Sequence, residues 1–402
     1  MARRLRAVVR WTLLCLWSLG IALGIGEAGM RFFGPPPVKA SVPVVIDGEL
    51  IYRFPARVRA IDVKEEFAVR IETNSQGLRD REYSPTKGDG VLRRLLVLGD
   101  SMTFAEGVEA QQTFPKVLEQ ELARGSGPGR FEVINAAVGG YGTDQELILF
   151  ERLIPIYRPD EVLLAFFAVN DFDDNLYGNL FAVEGDGLAR VPPSDASSPK
   201  YRYYRRQAII QDVPGYQTLM RYSHLANFIR HRWSELEYAR AFQTPSGDDP
   251  AREERAWRLT RRLLIAWRET ARRHGIEPRL LIIPSWEQVR AGRDERTDAR
   301  TARVIALSRE LGIPLVDPTQ TLRAAARGGD SVFYPKDRHM TAAGHRVVAR
   351  LLQECLFARR ARGGRSAVVP EGCIVPKGWG SLVFLDFREG IWENRLHPRA
   401  RL

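Results

Sequence analysis

Four short stretches of this chain hold residues able to do chemistry. "LGDSMTF" places Ser101 directly after Gly99 and Asp100, at the end of an apolar run. "NAAVGGYGT" carries Gly139 and Gly140, "FAVND" ends on Asn170 and Asp171, and "FYPKDRHMTAAGH" sets Asp337 two residues before His339. A serine becomes a nucleophile when a base takes its proton and a third group fixes the imidazole. It also needs N–H donors for the charge that develops on a carbonyl oxygen. Groups of each kind are present. The plainer reading of Ser101 is a hydroxyl capping the helix that follows a strand-to-helix turn.

Two other groups invite a metal reading and do not sustain it. Asp171, Asp173, Asp174 and Asn175 form the run "NDFDDN", which lacks the spacing of a calcium loop and reads as a loop solvating a strand end. His224, His231, His274, His345 and His397 show no paired ligand spacing and no C-x-x-C beside them, so neither a metal site nor a cofactor is expected. His345, inside the last helical segment, reads as a packing or surface residue.

The elements between the four stretches must bring them together. From Val91 onward strand-like and helix-like segments alternate: "RRLLVLGD", "TFPKVLEQELARG", "FEVINAAV", "TDQELILFERLIPIYRPD" and "EVLLAFFAVND". The alternation resumes with "AWRLTRRLLIAWRETARRHG", "PRLLIIPS", "TDARTARVIALSRELG", "IPLVDP" and "TAAGHRVVARLLQECL". Continuous apolar strands separated by helices predict an α/β fold, a parallel sheet covered on both faces. Ligands of such sheets bind beyond the carboxyl ends of the strands, where all four stretches fall. There Gly99 permits a tight turn, Asp100 braces the loop, and the Ser101 hydroxyl stands above the sheet.

With these residues in order, the chain resembles the SGNH or GDSL-type hydrolases over roughly residues 91–357. Gly99-Asp100-Ser101, Gly140 five residues after Asn135, the Asn170-Asp171 pair and the late His339 match the four blocks of that family. The resemblance implies a three-layer α/β/α arrangement with a parallel, flavodoxin-like sheet. It also implies Ser101 as nucleophile, His339 as general base, and an oxyanion hole from the amides of Ser101 and Gly140 and the Asn170 side chain. Two positions depart from the family. The usual last block is D-x-x-H, but Lys336 stands three before His339 and the acid is Asp337, two before. That spacing is similar to the alginate-type O-acetyltransferase relatives, and makes Asp337 either the third member of a triad or a salt-bridge partner at the start of the last helix. Ala168 stands where glycine is usual.

The N-terminus speaks to location. Arg3, Arg4, Arg6 and Arg10 precede an uncharged run from Trp11 to Gly26, which as a helix would reach about 24 Å. Continued through "EAGMRFF", with Arg10 snorkelling, it becomes long enough to cross a bilayer, and the arginines put the rest of the chain outside the cytoplasm. A cleaved signal peptide is the alternative, though no clean A-x-A site follows. This segment and "TNSQGLRDREY", residues 73–83, also resemble membrane-anchored bacterial members of the family.

The expected organisation is a basic flank and transmembrane anchor (1–33), a Pro-rich linker (34–43) and a small β-rich subdomain (44–90). A hydrolase domain follows (91–362) with an inserted, mostly helical cap near 176–251, then an extension of unread structure (363–402). The net charge of +11 comes mainly from arginine spread among acids, without a basic stripe interleaved with aromatics, so nucleic acid is not an expected partner. Cys355 and Cys373 would share an oxidising compartment and are expected to pair; Cys15 lies in the apolar segment. The functional expectation is a serine esterase acting outside the cytoplasm on an acyl ester of carbohydrate or lipid through a Ser101 acyl-enzyme. The same residues would serve a polysaccharide O-acetyltransferase. A non-catalytic polysaccharide-binding module and a membrane-tethered structural protein are the alternatives without catalysis.

Overall fold

The computed structural model describes residues 2–34, 42–242, 249–290, 294–357 and 370–374. It opens with helix α1 (Ala2–Phe33) and two hairpins, β1 (Val45–Asp47) with β2 (Ile51–Arg53) and β3 (Arg59–Val63) with β4 (Ala68–Glu72). Strand β5 (Arg93–Gly99) leads into α2 (Ser101–Phe104) and α3 (Phe114–Ser126). β6 (Phe131–Asn135), α4 (Thr143–Tyr157), β7 (Glu161–Phe167) and α5 (Asp171–Gly178) follow. A hairpin of β8 (Phe181–Glu184) and β9 (Gly187–Arg190) precedes the cap helices α6 (Pro199–Gln211), α7 (Tyr216–Tyr222) and α8 (His224–Ala241). The chain returns through α9 (Pro250–Arg273), β10 (Glu277–Ile283), α10 (Trp286–Arg290), α11 (Glu295–Leu311), β11 (Leu315–Val316), α12 (Thr319–Arg327), α13 (Ala342–Phe357) and β12 (Cys373–Ile374).

The central sheet runs β12-β11-β10-β7-β5-β6, parallel throughout except where β12 joins β11 antiparallel. Without β12 this is the doubly wound flavodoxin-like order that the resemblance implies, and the order reverses between β5 and β7. The apolar strand runs follow from burial on both faces. Leu95 and Val97 pack with Phe114 and Leu118 of α3 and Val348 and Leu352 of α13. Leu96 and Leu98 pack with Phe150 of α4, Leu263 and Trp267 of α9 and Val304 of α11. Strand alternation thus feeds two cores, one per face. Layers of this kind are those that the resemblance to the SGNH hydrolases implies.

Leu50, Ile51, Tyr52, Val69 and Ile71 of the N-terminal hairpins share one hydrophobic cluster with Leu96 and Leu98. Residues 176–251 hold helices α6, α7 and α8 and also the β8–β9 hairpin, which the sequence does not announce. The "NDFDDN" run is not a loop. It forms α5, with its acids in the first turn, where they suit the helix dipole; Asp173 pairs with Arg252, Arg296 and Arg300, and Asp174 with Lys200. Cys355 and Cys373 are bonded, tying α13 to the edge strand β12. His397 and residues 375–402 lie outside the described residues.

Candidate active site

The site forms at the carboxyl ends of β5, β6 and β7, where the strand order reverses. Ser101 opens α2, and the capping residue is Asp100, whose carboxylate accepts the Met102 N–H at 2.9 Å. The capping reading of Ser101 is therefore replaced: its hydroxyl is available for another partner. Gly99 is needed for room rather than for a left-handed backbone, since a Cβ there would fall 2.4 Å from Thr103 Oγ1. Arg79, from the "TNSQGLRDREY" stretch, is fully buried and donates to the carbonyls of Phe104, Ala105 and Val108, holding the far end of α2. Burial lowers its pKa to about 10.

The Ser101 hydroxyl lies 2.9 Å from His339 Nε2, and His339 Nδ1 lies 2.5 Å from Asp337 Oδ1. A carboxylate only accepts, so Nδ1 carries the proton and Nε2 receives the Ser101 O–H. The two-residue spacing works because Arg338 adopts a left-handed backbone (φ 67°), inside a loop closed by Tyr334 N–H on the His339 carbonyl. Asp337 thereby reaches Nδ1 from a position the usual spacing does not use. Burial would by itself raise the Asp337 pKa, but His339 and Lys64 outweigh it and hold this carboxyl below the usual range. For His339, burial disfavours the imidazolium, yet Asp337 and Glu106 more than compensate, and its pKa lies above that of a free imidazole.

Gly140 has φ 78°, and a Cβ there would stand 2.8 Å from Tyr52 Oη, so no other residue fits without strain. The turn is gripped from both sides: Tyr52 Oη donates to the Gly139 carbonyl at 2.6 Å and Lys200 Nζ to the Gly140 carbonyl at 2.9 Å. Among the described residues the amides of Ser101 and Gly140 find no acceptor. Asn170 Nδ2 donates to Asp100 Oδ2 at 3.2 Å, which uses one of its two hydrogens. Burial pushes Asp100 up to about 6, with the Met102 and Asn170 hydrogen bonds opposing. Ala168 causes no conflict: it is buried, and Arg300 reaches the carbonyls of Ala168 and Val169.

The profile of the GDSL-like Lipase/Acylhydrolase family matches residues 97–347, more than half of the chain. The chain belongs to that family. This GDSL-family protein is accordingly an enzyme acting on ester bonds. No curated protein matches it. Solved structures similar to it include TesA (15% identity, TM-score 0.37, covering 65% of this chain and 96% of that one). Another is a variant of an acetyl xylan esterase from Geobacillus stearothermophilus (14% identity, TM-score 0.39, 66% and 95%). A third is an esterase from Pseudoalteromonas sp. (13% identity, TM-score 0.33, 64% and 93%).

Several residues around this GDSL site escaped the sequence reading. Lys64, in the turn between β3 and β4, donates to Asp337 Oδ2 at 2.9 Å and to Glu106 Oε2 at 2.6 Å. Glu66, from the same turn, accepts the backbone N–H groups of Lys336 and Asp337. In sequence, "KEE" is indistinguishable from a solvated turn. Tyr52 and Lys200 likewise gave no signal. His345 packs, stacked on Phe114 with its Nδ1 accepting the Phe114 N–H, and burial lowers its pKa to about 3.

Proposed function

We propose that the protein is a membrane-anchored serine esterase that cleaves O-acyl esters of carbohydrate or lipid through a Ser101 acyl-enzyme outside the cytoplasm. The observation that carries this reading is the continuous chain from the Ser101 hydroxyl through His339 to Asp337. His339 Nε2 takes the Ser101 proton as Oγ attacks the ester carbonyl. The oxyanion receives hydrogen bonds from the amides of Ser101 and Gly140 and from the second Asn170 hydrogen. His339 then protonates the departing alcohol. Water enters with His339 again as base, and the acid product leaves. Asp337 keeps the proton on Nδ1 and stabilises the imidazolium in between.

Location rests on α1, which among the described residues is the one helix long and apolar enough to cross a membrane. The arginines at its start favour a cytoplasmic N-terminus. The Cys355–Cys373 bond supports an oxidising compartment for the rest of the chain. Transfer of the acyl group to a sugar hydroxyl is the second reading, favoured by the Asp337-x-His339 spacing shared with O-acetyltransferase relatives. Labelling of the full chain by a fluorophosphonate probe tests the nucleophile. Wild type is expected to react and Ser101→Ala is not; equal labelling of the two would remove Ser101 from this role. Product analysis with and without a sugar acceptor separates hydrolysis from transfer.

A further inference from the structure

The cap is fastened to α1 at one height. Gly26 closes the uncharged run of α1, and a Cβ built on it would come within 3.0 Å of Leu225 Cδ2 at the start of α8. One residue on, the Glu27 carboxylate accepts the N–H groups of His224 and Leu225 at 3.0 Å and the Ser223 hydroxyl at 2.8 Å. Arg31, paired with Glu27, donates to the Tyr222 carbonyl at 2.6 Å. Unpartnered first-turn N–H groups of α8 are thus capped by a side chain from the end of the apolar helix.

From that clamp an apolar stripe runs along α8. Leu225, Ile229, Trp233 and Leu236 recur at four, four and three residues, which places them on one side of a helix. Ile229, Trp233 and Leu236 are each 55% exposed, and Leu219 and Tyr222 of α7 extend the surface at 52% and 63%. On the opposite side of α8 Asn227 is buried and Ser234 meets Tyr203. Single exposed apolar residues need no explanation, but a continuous stripe beside an apolar anchor does. Residues 199–242 also hold eight Lys and Arg against three Asp and Glu, with Arg221, Arg232 and Arg240 close to the stripe. Exposed aromatic and aliphatic residues on one helix face, with arginines among them, suit an anionic lipid interface.

We propose that the cap rests on the bilayer, with the α7–α8 stripe inserted among the headgroups beside the exit of α1. This inference rests on the reading of α1 as a membrane span. It makes the membrane surface a binding partner of the catalytic domain. It also narrows the substrate to acyl esters presented at that surface, because α6 of the same cap holds the Gly140 carbonyl through Lys200.

The test uses the full chain in nanodiscs of phosphatidylethanolamine and phosphatidylglycerol, with Cys15→Ser as background. Nitroxide labels are placed through Ile229→Cys, Leu236→Cys and, separately, Leu19→Cys. Collisions with oxygen are expected to exceed those with a water-soluble nickel chelate at 229, 236 and 19. A label at 229 and 236 that meets mainly the nickel chelate, or that is shielded from both reagents as under a protein partner, overturns the inference. An aqueous label at 19 overturns the span reading by itself. A second arm compares wild type with Ile229→Glu/Trp233→Glu on p-nitrophenyl acetate in solution and on an acyl ester carried in vesicles. The double variant is expected to keep the first activity and lose roughly tenfold or more of the second. Equal loss on both substrates, or on neither, counts against the cap as a membrane contact.

Discussion

Lys64 Nζ donates to Asp337 Oδ2 at 2.9 Å across 273 residues of sequence, so a hairpin lying before the family-matched region holds the acid of the proposed triad. The same ammonium pairs with Glu106, and Glu66 fixes the backbone of the acid's loop. The D-x-H spacing therefore comes with an external brace. Lys64→Met should lower kcat by roughly two- to five-fold, the worth of one partly exposed ion pair of about 0.5–1 kcal/mol. Lys64→Arg should restore most of the loss. If Lys64→Met matches wild type in kcat and in pH profile, the brace has no role in catalysis.

The pH profile carries a sign that separates this brace from mere support. In the proposed mechanism His339 is neutral when it accepts the Ser101 proton, so kcat/KM should fall as pH drops through its pKa. That pKa is raised, and the acid limb should lie above the roughly 6.5 of a free imidazole. Lys64 opposes protonation of His339 and Glu106 favours it. Lys64→Met should therefore move the acid limb to higher pH and Glu106→Gln to lower pH. Rate–pH curves of the two variants that shift in the same direction would contradict the electrostatic account.

Asn170 makes a narrower prediction. One amide hydrogen is held by Asp100, and the other is the one that the proposed oxyanion hole would use. Asn170→Ala should cost on the order of 10²- to 10³-fold in kcat with little change in KM, as loss of a donor used mainly in the transition state. Thermal unfolding should show the variant folded. A kcat within a factor of about three of wild type would leave the hole to the two backbone amides.

Much of this arrangement is legible because parallel strands buried on both faces must be continuously apolar, as in "RRLLVLG", and because each apolar run stops on a polar residue at the same edge. That places Ser101, Gly140 and Asn170 at the strand ends. What stays hidden is set by contacts between distant segments. Nothing local in "VKEEF" tells a solvated turn from one that grips Asp337. Lys200 reads as one more surface cation although it is 1% exposed and bonded to Gly140. The "NDFDDN" run reads as a loop when its acids have no visible partner, and it is a helix with those acids in its first turn, where arginines from α9 and α11 reach Asp173. Charge pairing across the fold adds to what acids already gain at a helix N-terminus.

The disulfide gives a prediction about stability rather than chemistry. Cys355 lies near the end of α13, which packs on the sheet through Val348 and Leu352, and Cys373 lies in the two-residue edge strand β12. So short a strand cannot hold the sheet edge by its own hydrogen bonds, and the covalent link does this instead. With the cysteines 18 positions apart in sequence, removing the link should cost about 3 kcal/mol by relaxing the unfolded chain. Neither cysteine touches the Ser101–His339–Asp337 chain, so kcat should be unchanged at temperatures where the protein is folded. Cys355→Ser/Cys373→Ser, followed by denaturant unfolding and by initial rates on p-nitrophenyl acetate, should show a lowered midpoint beside an unaltered rate. A fall in rate without a fall in stability would mean that the sheet edge communicates with the site.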